Sequence, residues 1–278
     1  MGKIKIYLVV LFSIIIIKNS LGQDIPISIS IGGAYGFATT KNSVETFVNT
    51  KMEDKAYFSE NKKFSLGNGY AINGNIQYTF HKNMGFGLGF SYHFPKDVEF
   101  NEVNEVAGIT AEKQRLLSAK RFTLLPALQL NTDFDKLNTY IRMGVSINFT
   151  TQKLHETIVV DTNKTQYFWE YSGESSKFGF YAQWGLSYSF NEHVSIEFNI
   201  AYEGYSYTPN KSNMVQAKFN NSNFGLDNFE EIEKSVVFED WISDQYSQFP
   251  DADKPLSVPK QTFNYSSLSL GLTLNYHF

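Results

Sequence analysis

The chain has 278 residues, no cysteine, a formal net charge of −4 and 16% aromatic residues. The lack of cysteine excludes disulfides, thiolate metal sites, thiol nucleophiles and lipid attachment through cysteine. The mild negative charge argues against nucleic acid as a partner. With 25 Phe and 17 Tyr, the chain is too rich in aromatic residues to be disordered.

The N-terminus has the composition of a secretory signal peptide. Two lysines near the start precede an apolar stretch over 6–17, and small residues come before Gln23. An uncleaved membrane anchor is the alternative, but so short a stretch cannot cross a bilayer as a helix. The pattern therefore predicts a cleaved signal peptide over 1–22 and a single exported domain over 23–278.

Large apolar residues alternate with small or polar residues in eight segments of the chain. The segments are 25–37, 70–80, 84–94, 121–131, 137–149, 177–190, 194–206 and 263–278. A period of two predicts strands with one apolar and one polar face. Strands of soluble sandwiches are usually about 5–6 residues long, whereas a tilted strand needs roughly 9–11 residues to cross a bilayer. The segment lengths therefore favour membrane strands.

The connections between these segments alternate in length. Short ones lie at 82–83, 132–136 and 191–193, and long ones at about 39–69, 95–120, 150–176 and 207–262. Short periplasmic turns and long extracellular loops are typical of an antiparallel up-and-down outer-membrane β-barrel. Eight strands are predicted, and ten are the alternative if the last long connection contains a further hairpin.

Outward aromatic residues are predicted to form a girdle at each end of the barrel. The set comprises Tyr78, Phe80, Tyr188 and Phe190 at the short-turn end, and Tyr92, Phe94, Phe122 and Phe149 at the long-loop end. Two such girdles around an apolar band suit the two interfaces of a membrane. Pro126 fits this pattern poorly because it cannot donate to a strand ladder, so a bulge or locally broken pairing is expected there.

The final segment ends in an alternating apolar row that carries a family resemblance. The row is Leu270, Leu272, Leu274, Tyr276 and Phe278. With this row, and with a Pro-containing strand, a short turn, and then Tyr and Gly over 124–149, the chain resembles the small bacterial outer-membrane barrels. These are the eight-stranded OmpA/OmpX/OmpW-like barrels and their PorT-like relatives. The resemblance implies that the barrel-assembly machinery reads the terminal row as an insertion signal.

Charged residues fall on the predicted inward face. The interior of an eight-stranded barrel is just wide enough for side chains to fill it, so unpaired charges there would be costly. Depth along the strands predicts the ion pairs Arg142–Glu197 and Arg121–Glu203, although strand stagger could exchange the partners. Lys177 is expected on the same polar face near the outer rim.

The width of the lumen separates two functions. If Tyr140, Tyr181 and Arg142 reach across to fill the space beside the inward glycines of 84–94, the barrel is plugged. An open path along those glycines would instead give a narrow channel or transporter for a small solute or apolar molecule. A plugged structural or interaction barrel is the preferred prediction, because eight strands enclose little space.

The connection over 207–262 is too long to be a simple link. Between 227 and 253 it carries nine acidic residues and one lysine. A solvated flexible loop is the first expectation. A short amphipathic helix is the alternative, with Phe229, Ile232, Val236 or Val237, and Trp241 on one side. The segment is then a candidate cap, a surface for an extracellular or envelope protein partner, or a weak Ca²⁺ site.

Catalysis is the remote alternative for this chain. Five histidines are present, but no nucleophile motif accompanies them, so no catalytic residue, metal site or cofactor is predicted. The predicted partners are outer-membrane lipid, the barrel-assembly machinery and a protein bound through 207–262. The chain is expected to be a monomer.

Overall fold

The computed structural model describes residues 27–53, 56–106, 109–132, 136–173, 177–240 and 251–278. The predicted signal peptide and Trp241 lie outside the described residues. In the described part of the chain, no helix has the length and apolar character needed to cross a bilayer.

Strands dominate the structure. In chain order they are β1 (Ile27–Ala38), β2 (Asn42–Glu53), β3 (Ala56–Phe64), β4 (Gly69–His81), β5 (Met84–Pro95), β6 (Val98–Val106), β7 (Ile109–Thr132), β8 (Leu137–Val160), β9 (Asn163–Ser172), β10 (Phe178–Ser189), β11 (Val194–Gly204), β12 (Ser206–Tyr207), β13 (Lys211–Phe219), β14 (Ser222–Phe224), β15 (Ser235–Glu239), β16 (Leu256–Pro259), β17 (Phe263–Asn264) and β18 (Ser267–His277). The helical elements are a 3-10 turn, Leu226–Asn228, and helix α1, Glu231–Lys234.

Eight of these strands form a closed antiparallel barrel. The order around it is β1, β4, β5, β7, β8, β10, β11 and β18, and β18 pairs back onto β1. These eight strands correspond to the eight predicted segments, and the remaining strands lie outside the ring. The prediction of eight strands is therefore confirmed, and the ten-stranded alternative is wrong.

Two barrel strands are longer than predicted. Strands β7 and β8 each run for 24 residues and remain paired from Phe122 opposite Phe149 up to Ala111 opposite Val160. The upper part of β7 carries Glu112, Lys113, Arg115 and Lys120 and lacks a continuous apolar face. A search for strands that face lipid therefore misses it.

A sheet built on this long hairpin occupies much of the long-connection end. Strand β6 pairs with β7, while β9, β13, β15 and β16 follow one another outward from β8. The amphipathic helix predicted within 207–262 ends at Lys234, so the prediction is wrong for the residues that follow. The helix has only four residues, and Val236 and Val237 lie in β15, opposite Ser212 and Lys211 of β13. Two adjacent β-branched residues beside a free strand edge favour extended structure.

Pro126 interrupts one of its two ladders. Leu124 pairs with Ile147 and Ala127 with Gly144, so the β7–β8 register is the same on both sides, but Pro126 has no ladder partner on β8. It remains opposite Leu88 on β5. The expectation of locally broken pairing is confirmed, and no bulge is present at this point.

The barrel is apolar outside and polar inside. The predicted girdle residues are exposed on its outer surface, as are the terminal-row residues Leu270, Leu272, Leu274 and Tyr276. Phe278 is partly buried, and its backbone N–H donates to the carbonyl oxygen of Ile27 at 3.0 Å. Buried positions of the barrel strands carry mostly Ser, Thr, Asn, Gln and charged residues. This inversion of the usual soluble pattern is what a lipid-embedded barrel requires.

Candidate functional site

We call the half of the lumen nearer the short turns the lower lumen and the other half the upper lumen. A cluster centred on Arg142 of β8 crosses the lower lumen. Its Nη1 donates to Gln183 Oε1 at 3.2 Å, its Nη2 donates to Gln77 Oε1 at 3.1 Å, and its Nε donates to Gln129 Oε1. Glu197 Oε1 lies 3.8 Å from Nη2. These partners come from β4, β7, β10 and β11. One guanidinium thus connects five barrel strands across the lumen.

Tyr140 completes this cluster. Its hydroxyl donates to Glu197 Oε2 at 2.8 Å, and its ring centroid is 4.4 Å from Arg142 Cζ. The ring also fills the space beside Gly185, where a larger residue would clash with it. We call this set the Arg142 layer; its members are Arg142, Tyr140, Gln77, Gln129, Gln183 and Glu197.

The inward glycines of β5 are not filled from across the barrel. Their nearest side chains come from the neighbouring strands: Gln77 beside Gly85, Asn75 beside Gly87 and Leu125 beside Gly89. Filling of these positions by Tyr140, Tyr181 and Arg142, which was the condition set for a plugged lumen, is therefore not observed. Adjacent strands in a narrow barrel bring their inward side chains close enough to cover a glycine, so no residue need cross the lumen.

A second charged cluster lies higher in the lumen. Arg121 of β7 is 2% exposed, and its Nη2 donates to Glu203 Oε2 of β11 at 2.8 Å. Its Cζ lies 5.6 Å from the ring centroid of Tyr205 and 5.8 Å from that of Tyr265. Arg121 Nε and Nη1 have no hydrogen-bond partner among the described residues. We call this set the Arg121 layer; its members are Arg121, Glu203, Tyr205 and Tyr265.

A small cavity of about 70 Å³ is lined by residues of both layers. Its walls include Asn75, Ser91 and Asn199, which are buried polar residues of the barrel strands. A polar cavity of this size has room for roughly five waters. The lumen thus contains a short polar chamber that is lined by the guanidinium groups of Arg121 and Arg142.

An aromatic core lies beyond the Arg121 layer, and sequence analysis did not anticipate it. We call it the cap core; its buried members are Phe64, Leu66, Phe100, Leu117, Ala119, Tyr171, Tyr205, Tyr207, Phe238, Phe263 and Tyr265. All four long connections or their flanking strands contribute to it. The available signal was the presence of Phe64, Phe100, Tyr171 and Phe238 inside segments that were expected to be loops.

Ring contacts and polar anchors hold the cap core together. The Phe64 ring lies edge-on to Phe100 at 5.2 Å, and the Tyr171 ring packs against Phe263 at 5.8 Å. Burial raises the pKa of Tyr171 above its ordinary value. Tyr265 donates its hydroxyl to Gln152 Oε1 at 3.1 Å, which ties the cap core to β8.

Lys177 does not lie with the lumen charges. It is exposed, and its Nζ is 5.3 Å from the ring centroid of the outward residue Phe149. The expectation that it belongs to the inward set is wrong. Because Lys177 precedes the first residue of β10, the strand alternation does not fix its side chain, which turns outward over the aromatic ring.

The histidines form no evident catalytic arrangement. Ser195 Oγ is 3.0 Å from His277 Nε2, but Ser195 is 1% exposed and also accepts a hydrogen bond from Asn275. A substrate therefore has no access to that hydroxyl. His93 is buried in the upper lumen. No group of three His, Asp or Glu side chains suited to a metal ion occurs among the described residues.

Comparison with known proteins gives structural neighbours only. No protein-family model and no curated protein matches the chain. OprG of Pseudomonas aeruginosa is 12% identical with a TM-score of 0.41, covering 92% of this chain and 97% of OprG. Neisserial surface protein A is 9% identical with a TM-score of 0.39, covering 91% and 97%. Ail of Yersinia pestis is 11% identical with a TM-score of 0.36, covering 92% and 100%.

At such identities and TM-scores, these likenesses carry no argument about this chain, and no residue role transfers from them. The architecture is established by this chain's own strand pairing, with a closed ring of eight strands, a polar interior and an apolar exterior. A closed barrel is one of the two backbone arrangements that satisfy every polar group in lipid. The protein is an eight-stranded transmembrane β-barrel.

Proposed function

We propose that the protein is a plugged interaction barrel that presents its long connections to partners outside the cell. The observation that carries this proposal is the closure of the lumen at two levels. The Arg142 layer connects five strands in the lower lumen, and the cap core covers the upper end. A barrel with both features has a folded outer surface to offer and little room for transport.

An exposed aromatic patch supports the interaction role. Phe219 and Phe224 are both 47% exposed near the β13–β14 turn, and the Phe224 ring lies 5.6 Å from that of Phe229. Phe229 in turn packs edge-on to Tyr167 at 6.2 Å. Exposed aromatic residues on a rigid support are typical of binding surfaces. The 207–262 connection is the segment we propose for partner contact.

The finer parts of the proposal concern export and assembly. We propose that residues 1–22 are removed as a signal peptide and that the long connections face outward. The row from Leu270 to Phe278 serves as the insertion signal, by resemblance to small outer-membrane barrels, and the barrel acts as a monomer. Outer-membrane lipid and the barrel-assembly machinery are then its first partners.

A narrow conduit is the second candidate function. The polar chamber and the two donor groups of Arg121 that lack a partner among the described residues favour it, because a passing polar solute would meet hydrogen-bond donors there. Swelling of liposomes that contain the refolded protein distinguishes the two functions. A plugged barrel gives no swelling with glycine, urea or small sugars above that of protein-free liposomes. Size-dependent swelling would overturn the proposal in favour of the conduit.

A further inference from the structure

Four aromatic rings from three parts of the chain meet at the end of the long-hairpin sheet that is farthest from the barrel. Ala217 of β13 lies opposite Tyr167 of β9 on one side and Phe224 of β14 on the other, so the two rings share one face of the sheet. Phe219 lies on the same face, two residues beyond Ala217. Phe229, which follows the 3-10 turn, packs edge-on against Phe224 and Tyr167. We call Tyr167, Phe219, Phe224 and Phe229 the aromatic patch.

The aromatic patch is exposed although regular strands hold it in place. Ala217, between the rings of β9 and β14, is 1% exposed, whereas Phe219 and Phe224 are each 47% exposed. None of the four residues of the patch belongs to the cap core. When a ligand covers apolar rings that a folded sheet holds in water, the free energy falls. The aromatic patch can therefore anchor a ligand.

Acidic side chains border the aromatic patch. Asp227 and Glu230 lie two residues before and one residue after its last ring, and both are exposed. The carboxylate of Glu233 also lies close to the rings. Burial, together with the nearby carboxylates of Glu156 and Glu233, raises the pKa of Tyr167 above its ordinary value. We call Asp227, Glu230 and Glu233 the acidic rim.

No cation of the described residues neutralises the acidic rim. None of its carboxylates has a lysine, arginine or histidine nitrogen within 4.0 Å in that part of the chain, whereas the neighbouring Glu231 has Lys234 at 3.6 Å. The connection over 207–262 carries nine acidic residues against five lysines. Lys218 lies on the opposite face of the sheet, where its Nζ is 5.3 Å from the centroid of the Phe168 ring. The charge of the rim is thus available to a ligand of opposite sign.

The combination of rings and carboxylates restricts the class of ligand. The acidic rim repels anionic ligands such as nucleic acid. A second copy of this chain, docked about a two-fold axis, would place acidic rim against acidic rim, which is a like-charge cost. Neighbouring ring centroids of the aromatic patch are 5.6 and 6.2 Å apart, so the patch is wider than one small cation. A ligand that complements this surface has an apolar group with cations beside it.

We propose that the aromatic patch and the acidic rim together bind a basic segment of a partner protein, in which lysine or arginine flanks an apolar anchor. The anchor packs on the rings of Phe219 and Phe224, and the cations meet the carboxylates of Asp227 and Glu230 or the exposed ring faces. The inference rests on the proposed interaction role of the barrel and adds the chemistry of the partner.

The test begins with selection from a random twelve-residue peptide library displayed on phage. The full chain is held in phosphatidylcholine nanodiscs, and phage that bind protein-free nanodiscs are removed first. The expected peptides carry at least two lysines or arginines together with an aromatic or large aliphatic residue. The selected peptides are then synthesised, and their affinities are measured by fluorescence anisotropy.

The charge of the acidic rim is tested with a matched pair of variants. Asp227→Asn/Glu230→Gln removes two carboxylates and keeps a hydrogen-bond acceptor at each position. An exposed ion pair is worth up to about fivefold in affinity, so this variant binds the selected peptides roughly tenfold more weakly. Asp97→Asn/Glu112→Gln removes the same charge from exposed positions on the β6–β7 side and binds them like wild type.

The aromatic patch is tested with Phe219→Ser/Phe224→Ser, which also binds the peptides roughly tenfold more weakly because the apolar anchor loses its surface. Four results would overturn the proposal: no enrichment over protein-free nanodiscs, selected peptides without net positive charge, equal affinities of the acidic variant and its control, or unchanged affinity of the aromatic variant. A wild-type dimer that the aromatic variant abolishes would assign the surface to a second copy instead.

Two further measurements keep these results interpretable. The gel mobility of unheated barrel checks that each variant folds, as expected for substitutions of exposed residues. Liposome swelling tests the closure of the lumen and uses no peptide, so this proposal and the proposed function can fail separately.

Discussion

The Arg142 layer and the Arg121 layer show two ways of burying a guanidinium in the same barrel. Arg142 has amide or carboxylate oxygens around it from four other strands. Arg121 has one carboxylate and two aromatic rings, and two of its nitrogens lack a hydrogen-bond partner among the described residues. The lower closure is therefore built from the barrel wall alone, whereas the upper one depends on the cap core.

Removal of Arg142 gives the largest expected effect. Arg142→Ala leaves Glu197 buried without its cation and three glutamines without their donor, so the free energy of unfolding falls by about 3–5 kcal/mol. Urea unfolding of the protein in lipid vesicles measures it. The double variant Arg142→Ala/Glu197→Gln recovers part of the loss. If Arg142→Ala unfolds at the wild-type urea concentration, the Arg142 layer contributes nothing to stability.

A cap-core substitution ranks second and separates the cap from the barrel. Phe263 is fully buried, so Phe263→Ala costs about 3–5 kcal/mol, confined to the long-connection end. Limited proteolysis shows faster cleavage of the long connections, while the barrel keeps its unheated gel mobility. Phe219→Ala is the control, because that ring is 47% exposed and lies outside the cap core. A loss of barrel mobility in Phe263→Ala would contradict the separation of the two regions.

Removal of Arg121 has a smaller effect than removal of Arg142. Arg121→Met leaves one carboxylate unpaired, but Glu203 lines a chamber with room for water, so the expected cost is about 1–3 kcal/mol. The same urea titration measures it. A cost that equals or exceeds that of Arg142→Ala would show that the two layers do not differ as described.

The smallest effect concerns pH at the long-connection end. Partial burial, with Lys164 and Lys218 nearby, lowers the pKa of His155 below its ordinary value of 6.5. The unfolded state then binds more protons, so stability is full above pH 6.5 and falls as the pH drops toward the lowered pKa. Hydrogen exchange in β8 and β9 at pH 7.5 and pH 5 detects the change. His155→Gln removes this pH dependence, and His193→Gln keeps it; the reverse result would refute the assignment.

Sequence patterns were sufficient to predict the barrel because strands between lipid and a polar lumen must alternate apolar with polar residues. The same parity placed Arg121 and Glu203 on the inward face at similar depth, where their atoms are now 2.8 Å apart. Phe263 and Tyr265 show where the pattern stops. They continue the apparent alternation of the last segment but belong to the cap core, and β18 starts only at Ser267. Contacts between connections that are far apart in the sequence produce no local periodicity of residues, so the sequence pattern does not predict them.

The central claim is that the lumen is closed twice in series, by the Arg142 layer and by the cap core. Planar-bilayer conductance tests this claim most directly. Four proteins are compared: wild type, Arg142→Ala, a variant lacking 208–260, and the combination of both changes. The account predicts no steady channels in wild type or in either single variant, and steady channels in the combination once gel mobility shows that it is folded. Steady channels in wild type, or a combined variant that is folded but silent, would contradict it.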